Sequence, residues 1–156
     1  MAATTANLIA QGTPTTLLST ELNSLASGGF SSLGAAQNNV FVAGTPNGFD
    51  GYILADVVLD LAAYTGTPTA GAYFALWFIP AIDGTDYDTG GSTISVGPDV
   101  LIPVDALASG PYQRTMRDVR IPVGKFKPLA QSVGMGIAIA ASGNTIKIVP
   151  KSWQSQ

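Results

Sequence analysis

The stretch Ile53-Leu-Ala-Asp-Val-Val-Leu-Asp-Leu61 alternates apolar residues with a second set that includes Asp56 and Asp60. This period of two is typical of a β-strand that buries one of its faces. The next apolar run, Ala72-Tyr-Phe-Ala-Leu-Trp-Phe-Ile79, is continuous, which is typical of a strand buried on both faces. Thr65-Gly-Thr-Pro68 separates the two runs with turn-forming residues. The middle of the chain therefore predicts two strands joined by a turn.

Further strand-like runs follow at residues 100–104, 114–123, 134–141 and 145–149. Ser142-Gly-Asn144 joins the last two, which is consistent with a hairpin. The whole chain offers about seven or eight strand candidates at a spacing of roughly 8–15 residues, a pattern of sandwiches and jelly rolls. We expect an all-β fold: a jelly-roll-like antiparallel β-sandwich of about eight strands.

The two ends of the chain differ from this strand-rich middle. Residues 1–13 are small and polar and predict a flexible N-terminal arm, and residues 151–156 predict a C-terminal tail. A single domain then spans residues 14–150. Leu18, Leu22 and Leu25 have helical spacing ahead of Gly28, which predicts a short helix, although the Thr and Ser content leaves an extended conformation open.

Composition excludes several classes of function. The chain has 156 residues, no Cys and no His, so thiolate and imidazole chemistry are both absent. A net charge of −3 gives no reason to expect nucleic-acid binding, and no apolar run approaches the ~18 residues of a membrane span. No serine has a histidine base, and Asp56 and Asp60 would lie roughly 13 Å apart along a strand. We therefore expect a protein that is not an enzyme and that uses no cofactor.

Charge is distributed unevenly along the chain. Residues 1–113 carry a charge of −9, and residues 114–156 carry +6. One interpretation is a pair of opposed surfaces that orient subunits or a partner. The other is that early and late strands interleave, so that the charges mix on one surface.

Three groups of side chains are candidate sites. Asp83, Asp86 and Asp88 are a candidate Ca²⁺ site, although a solvated turn explains the same cluster. Trp77 and its aromatic neighbours are either core residues or a platform for stacking sugars. The candidate partner-contact surface consists of five basic residues: Arg114, Arg117, Arg120, Lys125 and Lys127. The spacing of the three arginines would place them alternately on the two faces of a strand.

Four segments resemble those of small virion proteins of tailed bacteriophages. They are Thr16-Leu-Leu-Ser-Thr-Glu-Leu-Asn-Ser-Leu-Ala26, Ile79-Pro-Ala-Ile-Asp-Gly-Thr-Asp-Tyr87, Val123-Gly-Lys-Phe-Lys-Pro-Leu129 and Ala141-Ser-Gly-Asn-Thr-Ile-Lys-Ile148. The resemblance implies a jelly-roll cement or decoration protein, assembled in the host cytoplasm and located on the capsid exterior, where it bridges capsomers.

The implied partners are the major capsid protein and further copies of this chain, as a dimer or a trimer, with no nucleic acid and no membrane. An alternative is another virion part, such as a tail or baseplate adaptor or a jelly-roll module that binds host glycans.

Overall fold

The structure is a computed structural model that describes residues 7–39, 53–87, 94, 96–106 and 109–155. The regular secondary structure of the described residues is β-strand, apart from a single turn of 3₁₀ helix at Thr20–Leu22. Its strands are β1 Asn7–Gln11, β2 Thr15–Leu18, β3 Gln37–Asn39, β4 Leu54–Thr65, β5 Tyr73–Pro80, β6 Val100–Pro103, β7 Ser109–Arg120, β8 Gly124–Val133 and β9 Thr145–Ser155. No helix in this part of the chain is long and apolar enough to cross a bilayer.

The strands form two antiparallel sheets packed as a sandwich. In the first sheet, β1 and β2 lie one after the other along the same edge of β9, and β4 and β7 follow. The second sheet has the order β3-β8-β5-β6. Consecutive strands alternate between the sheets from β2 to β5 and again from β6 to β9, in the manner of a jelly roll. The all-β, jelly-roll-like sandwich expected from the sequence is confirmed.

The core lies between the sheets and follows the predicted alternation. On β4, Ala55, Val57 and Leu59 are fully buried, whereas Asp56 and Asp60 lie on the outer face. Phe126 of β8 packs edge-on against Phe78 of β5, with ring centroids 5.3 Å apart. Side chains from both sheets therefore interdigitate in one core.

The second sheet is also covered on its outer face. Ala75, Trp77 and Ile79 of β5 form a second buried cluster beneath partly buried side chains that include Leu33 and Tyr87. The Trp77 indole Nε1 donates a hydrogen bond to the Val96 carbonyl at 3.0 Å. This outer layer of connecting segments explains why β5 is apolar on both faces, and it leaves Trp77 only 6% exposed.

The short helix predicted near the N-terminus is wrong, whereas the extended conformation that the sequence also left open is found in β2. The chain forms β2, which pairs with β9, and then the single 3₁₀ turn. Leu18, Leu22 and Leu25 are all buried as expected, but they reach the core from an extended segment followed by a turn. Pairing with β9 therefore overrides the local helical spacing.

The predicted strand at residues 134–141 is wrong as well. Gly134 and Gly136 have φ values of +66° and +70°, and the chain there is a loop between β8 and β9 rather than one arm of a hairpin. The sequence pattern does not predict β8, because Lys125, Lys127 and Pro128 interrupt its apolar residues.

Parts of both predicted flexible ends are strands. Residues 7–11 form β1 and residues 151–155 complete β9, with Asn7 opposite Ser155 and Gln11 opposite Lys151. Each segment supplies the hydrogen-bonding partner that the other would lack if it were free in solution. Residues 1–6 lie outside the described part of the chain.

Candidate interaction surface

The outer face of the first sheet mixes acidic and basic side chains. β4 lies between β7 and β9, so its carboxylates meet basic and polar groups on both sides. The Asp60 carboxylate accepts hydrogen bonds from Lys147 Nζ at 3.1 Å and from Gln113 Nε2 at 2.6 Å. On this face, strands from the early and late parts of the chain therefore interleave and their charges mix, as the second interpretation of the charge asymmetry predicted.

A second ion-pair cluster lies near the other end of the same face. Lys151 Nζ lies 2.6 Å from Asp56 Oδ1 and 3.4 Å from Asp118 Oδ1, and the lysine side chain is only 12% exposed. The hydrogen bond to Asp56 is the main cause of a raised pKa for Lys151. One lysine faces two carboxylates, so this cluster has a net charge of −1 and offers no free positive charge to a partner.

Two of the five basic residues predicted to contact a partner make contacts within the chain. The Arg114 guanidinium donates to both Asp105 carboxylate oxygens, at 2.7 Å and 2.8 Å, and its Nε donates to the Tyr112 hydroxyl at 2.8 Å. Lys127 Nζ lies 4.5 Å from the centre of the Tyr87 ring, a cation–π contact. Both side chains therefore help to hold the fold.

The other three, Arg117, Arg120 and Lys125, are exposed. None of them forms an ion pair with another residue in the described ranges. Arg117 and Arg120 lie near the end of β7, and Lys125 lies at the start of β8, just after the connection between the sheets. Three basic side chains that form no ion pair within the described residues therefore lie at one end of the sandwich, where the turn after β5 also exposes the carboxylates of Asp83 and Asp86.

A β-bulge in β7 corrects the expectation that Arg117 and Arg120 lie on opposite faces. The register with β4 shifts between Ala55 and Val57, which inserts an extra residue near Asp118. Asp118 has a left-handed φ of 55°, and its backbone N–H donates to Asp56 Oδ1 at 3.1 Å. The extra residue resets the alternation, so both arginines line the same groove.

That groove runs between β6 of the second sheet and β7 of the first, with a volume of about 740 Å³. Much of its lining is apolar, and its polar side chains are Arg117, Arg120, Asp99 and Asp118. Asp99 Oδ2 accepts a hydrogen bond from the Phe78 N–H at 2.7 Å. Desolvation outweighs that bond and raises the pKa of Asp99. No local sequence pattern marks Asp99 or the bulge, because the bulge depends on the register between β4 and β7 and the environment of Asp99 depends on its contacts with β5.

Exposed aliphatic side chains lie at the same end of the sandwich. Ile53, Ile82 and Val123 are 55%, 78% and 67% exposed. The Ile53 carbonyl accepts from the Ile121 N–H at 3.0 Å, which places Ile53 beside the β7–β8 connection. We call this surface, made of Arg117, Arg120, Lys125, Ile53, Ile82 and Val123, the basic end.

The candidate Ca²⁺ cluster is a hydrogen-bonded turn over its described residues. Asp83 Oδ1 accepts from Thr85 N at 2.8 Å, Thr85 Oγ1 at 2.8 Å and Asp86 N at 2.7 Å. Chiefly because of these backbone bonds, the pKa of Asp83 is lowered to about 2. Within the described ranges, no group of three or more metal-ligating side chains comes together, and Asp88 lies outside them.

Comparison with known proteins yields no further assignment. No family model matches the chain, and neither a curated protein nor a solved structure matches it.

Proposed function

We propose that this chain is a virion structural protein, a capsid cement or decoration protein that docks on the outer capsid surface through its basic end. The observation that carries the proposal is the proximity of Arg117, Arg120 and Lys125, which form no ion pair with another described residue, to three exposed aliphatic side chains. Arginine is enriched at binding surfaces and among the residues that supply most of their affinity, and the centre of such a surface is more apolar than its rim.

Two of the segments that resemble virion proteins meet at this end. The segment ending at Tyr87 continues β5, and the segment beginning at Val123 leads into β8. Pro80 and Phe126 are paired in the sheet, and the Ala81 N–H donates to the Lys125 carbonyl at 2.9 Å. A jelly roll alone implies no function, so the proposal depends on these residues rather than on the fold.

The proposed mechanism uses repetition rather than catalysis. A dimer or trimer at symmetry positions of a capsid would make the same contacts many times, so that avidity compensates for modest single contacts. Binding to the assembled shell alone would stabilise that shell by mass action. The basic end would orient each copy toward an acidic patch of the major capsid protein.

Co-sedimentation tests this proposal with capsids of the virus that encodes the chain, prepared without it. We expect saturable binding of the native chain, with density at capsomer junctions in cryo-electron micrographs of the pellet. The variant Arg117→Ala/Arg120→Ala/Lys125→Ala should bind at least tenfold more weakly, because three rim charges are lost.

A matched control changes the net charge by the same amount at the opposite end of the sandwich. Ala138, Ala141 and Ser142 are exposed there, in the loop before β9. The variant Ala138→Glu/Ala141→Glu/Ser142→Glu should bind as the native chain does. Failure of the native chain to bind capsids, with binding instead to tails or to a glycan array, would replace the proposal with the alternative virion roles.

A further inference from the structure

The groove between β6 and β7 is flanked by two strand edges. Within the described residues, β6 pairs only with β5, and β7 pairs only with β4. An edge strand presents backbone N–H and C=O groups that can pair with another extended chain. The groove therefore has the architecture of a site that receives a polypeptide segment.

Its lining is apolar and partly open to solvent. Phe78 and Ile121 are buried at its base, whereas Leu101 and Val96 line it while remaining 50% and 63% exposed. Exposed aliphatic side chains in a concave site gain stability when a partner's apolar side chains cover them.

The rim of the groove has a free positive charge on its β7 side. Arg117 and Arg120 both line it, and neither has an ionic partner among the described residues. The two carboxylates in the same lining are already engaged, Asp118 with Lys151 at 3.4 Å and Asp99 with the Phe78 N–H. Four other basic side chains are held internally: Arg114 by Asp105, Lys147 by Asp60, Lys151 by Asp56 and Lys127 by the Tyr87 ring. Charge complementarity therefore calls for acidic side chains in the occupant.

We propose that this groove binds an extended segment of the partner protein in which acidic residues alternate with aliphatic ones. The partner's identity rests on the function proposed above, whereas the chemistry of the segment rests on the groove. Alternating side chains of an extended segment point to opposite sides. Its aliphatic residues would then cover Leu101 and Val96, and its carboxylates would pair with Arg117 and Arg120.

The lining favours a peptide over single-stranded nucleic acid. Nucleic-acid grooves combine basic residues with aromatic faces on which bases stack. The one aromatic side chain in the lining, Phe78, is 4% exposed and packs against Phe126 in the core. Binding of an oligonucleotide is therefore an outcome that would contradict the inference.

Fluorescence anisotropy tests the inference with the full chain and a fluorescein-labelled eight-residue peptide of alternating Glu and Val. We expect saturable binding that weakens as salt is raised. Arg117→Ala/Arg120→Ala should weaken binding at least tenfold. Leu101→Asp should weaken it by a similar factor, because it replaces an apolar contact with the peptide's valines by a carboxylate that would have to lose its hydration. Arg117→Lys/Arg120→Lys should restore part of the loss, since it keeps the charge.

Ala141→Glu/Ser142→Glu is the matched control, because it lowers the net charge by the same two units at the opposite end of the sandwich, away from the groove. It should change the peptide affinity less than twofold. The inference is overturned if Arg117→Ala/Arg120→Ala binds the peptide as tightly as the native chain. It is equally overturned if the native chain binds a Lys–Val peptide or oligothymidylate more tightly than the Glu–Val peptide, or if it does not bind the Glu–Val peptide.

Capsid co-sedimentation separates this inference from the function on which the partner's identity rests. If capsids bind the native chain and the double alanine variant equally, the groove assignment fails and the decoration role stands. If the chain binds the acidic peptide but no capsid, the groove assignment stands and the decoration role fails. Thermal unfolding monitored by circular dichroism verifies that each variant is folded.

Discussion

At the scale of single residues, Asp118 decides where two arginines point. It has a left-handed φ of 55°, and its N–H is held by Asp56 at 3.1 Å. Aspartate tolerates this conformation, whereas a β-branched residue is strained in it. We expect Asp118→Val to lower the free energy of unfolding by about 1–2 kcal/mol in urea titrations. Asp118→Gly should cost less, because glycine adopts positive φ freely; equal losses for the two variants would contradict this account of the bulge.

Asp83 supplies a second prediction at this scale. Its pKa is lowered from 3.8 to about 2, first by the backbone N–H groups of Asp86 and Thr85 and then by the Thr85 hydroxyl. A carboxyl whose pKa is lower in the folded state stabilises the fold above its unfolded pKa. That contribution is lost as the pH falls through the folded pKa. Carboxyl NMR titration should give a midpoint near 2, and Thr85→Ala should raise it; a midpoint at the ordinary value would show that the turn does not form.

At the scale of elements, Gly34 allows the chain to pass between β2 and β8. Its N–H donates to the Pro128 carbonyl at 2.9 Å. A Cβ at this position would lie 2.5 Å from the Leu17 carbonyl oxygen and 2.7 Å from Pro128 Cγ. Gly34→Ala should therefore destabilise the protein by about 1–3 kcal/mol, as overpacking does in other cores.

Gly97 is the control for that substitution. A Cβ there meets nothing within 4 Å, and the residue does not have positive φ. Gly97→Ala should leave the melting temperature within about 2 °C of the native value, since exposed substitutions change stability little. A similar loss in both alanine variants would mean that the close approach of β2 and β8 at Gly34 is not formed.

At the scale of the whole molecule, the topology sets the speed of folding. Most paired strands are distant in sequence: β1 and β2 pair with β9, and β8 pairs with β3 and β5. The chain loses the entropy of closing these long loops before strand pairing can stabilise it. β-Sandwiches therefore fold slowly. Stopped-flow refolding followed by Trp fluorescence should show a main phase on the scale of milliseconds to seconds. A main phase completed within microseconds would contradict this topology.

Much of the fold was predictable from short stretches of sequence. The alternation at Ala55, Val57 and Leu59 depends only on which face of a strand meets water, so it predicted β4 correctly. The continuous apolar run of β5 likewise predicted burial on both faces. Regions where the local pattern conflicted with strand pairing were predicted wrongly or missed, as Leu18, Leu22 and Pro128 illustrate.

The sequence by itself determined the all-β class, the core faces of the two central strands and the supply of basic residues. Only the tertiary structure decided which of those residues are free. Arg114 and Lys127 contact Asp105 and Tyr87, whereas the bulge at Asp118 turns Arg117 and Arg120 toward one groove. The physical reason is that the faces of one strand follow from its own pattern of apolar and polar residues. Ion pairing and the register between strands depend instead on which distant segments become neighbours.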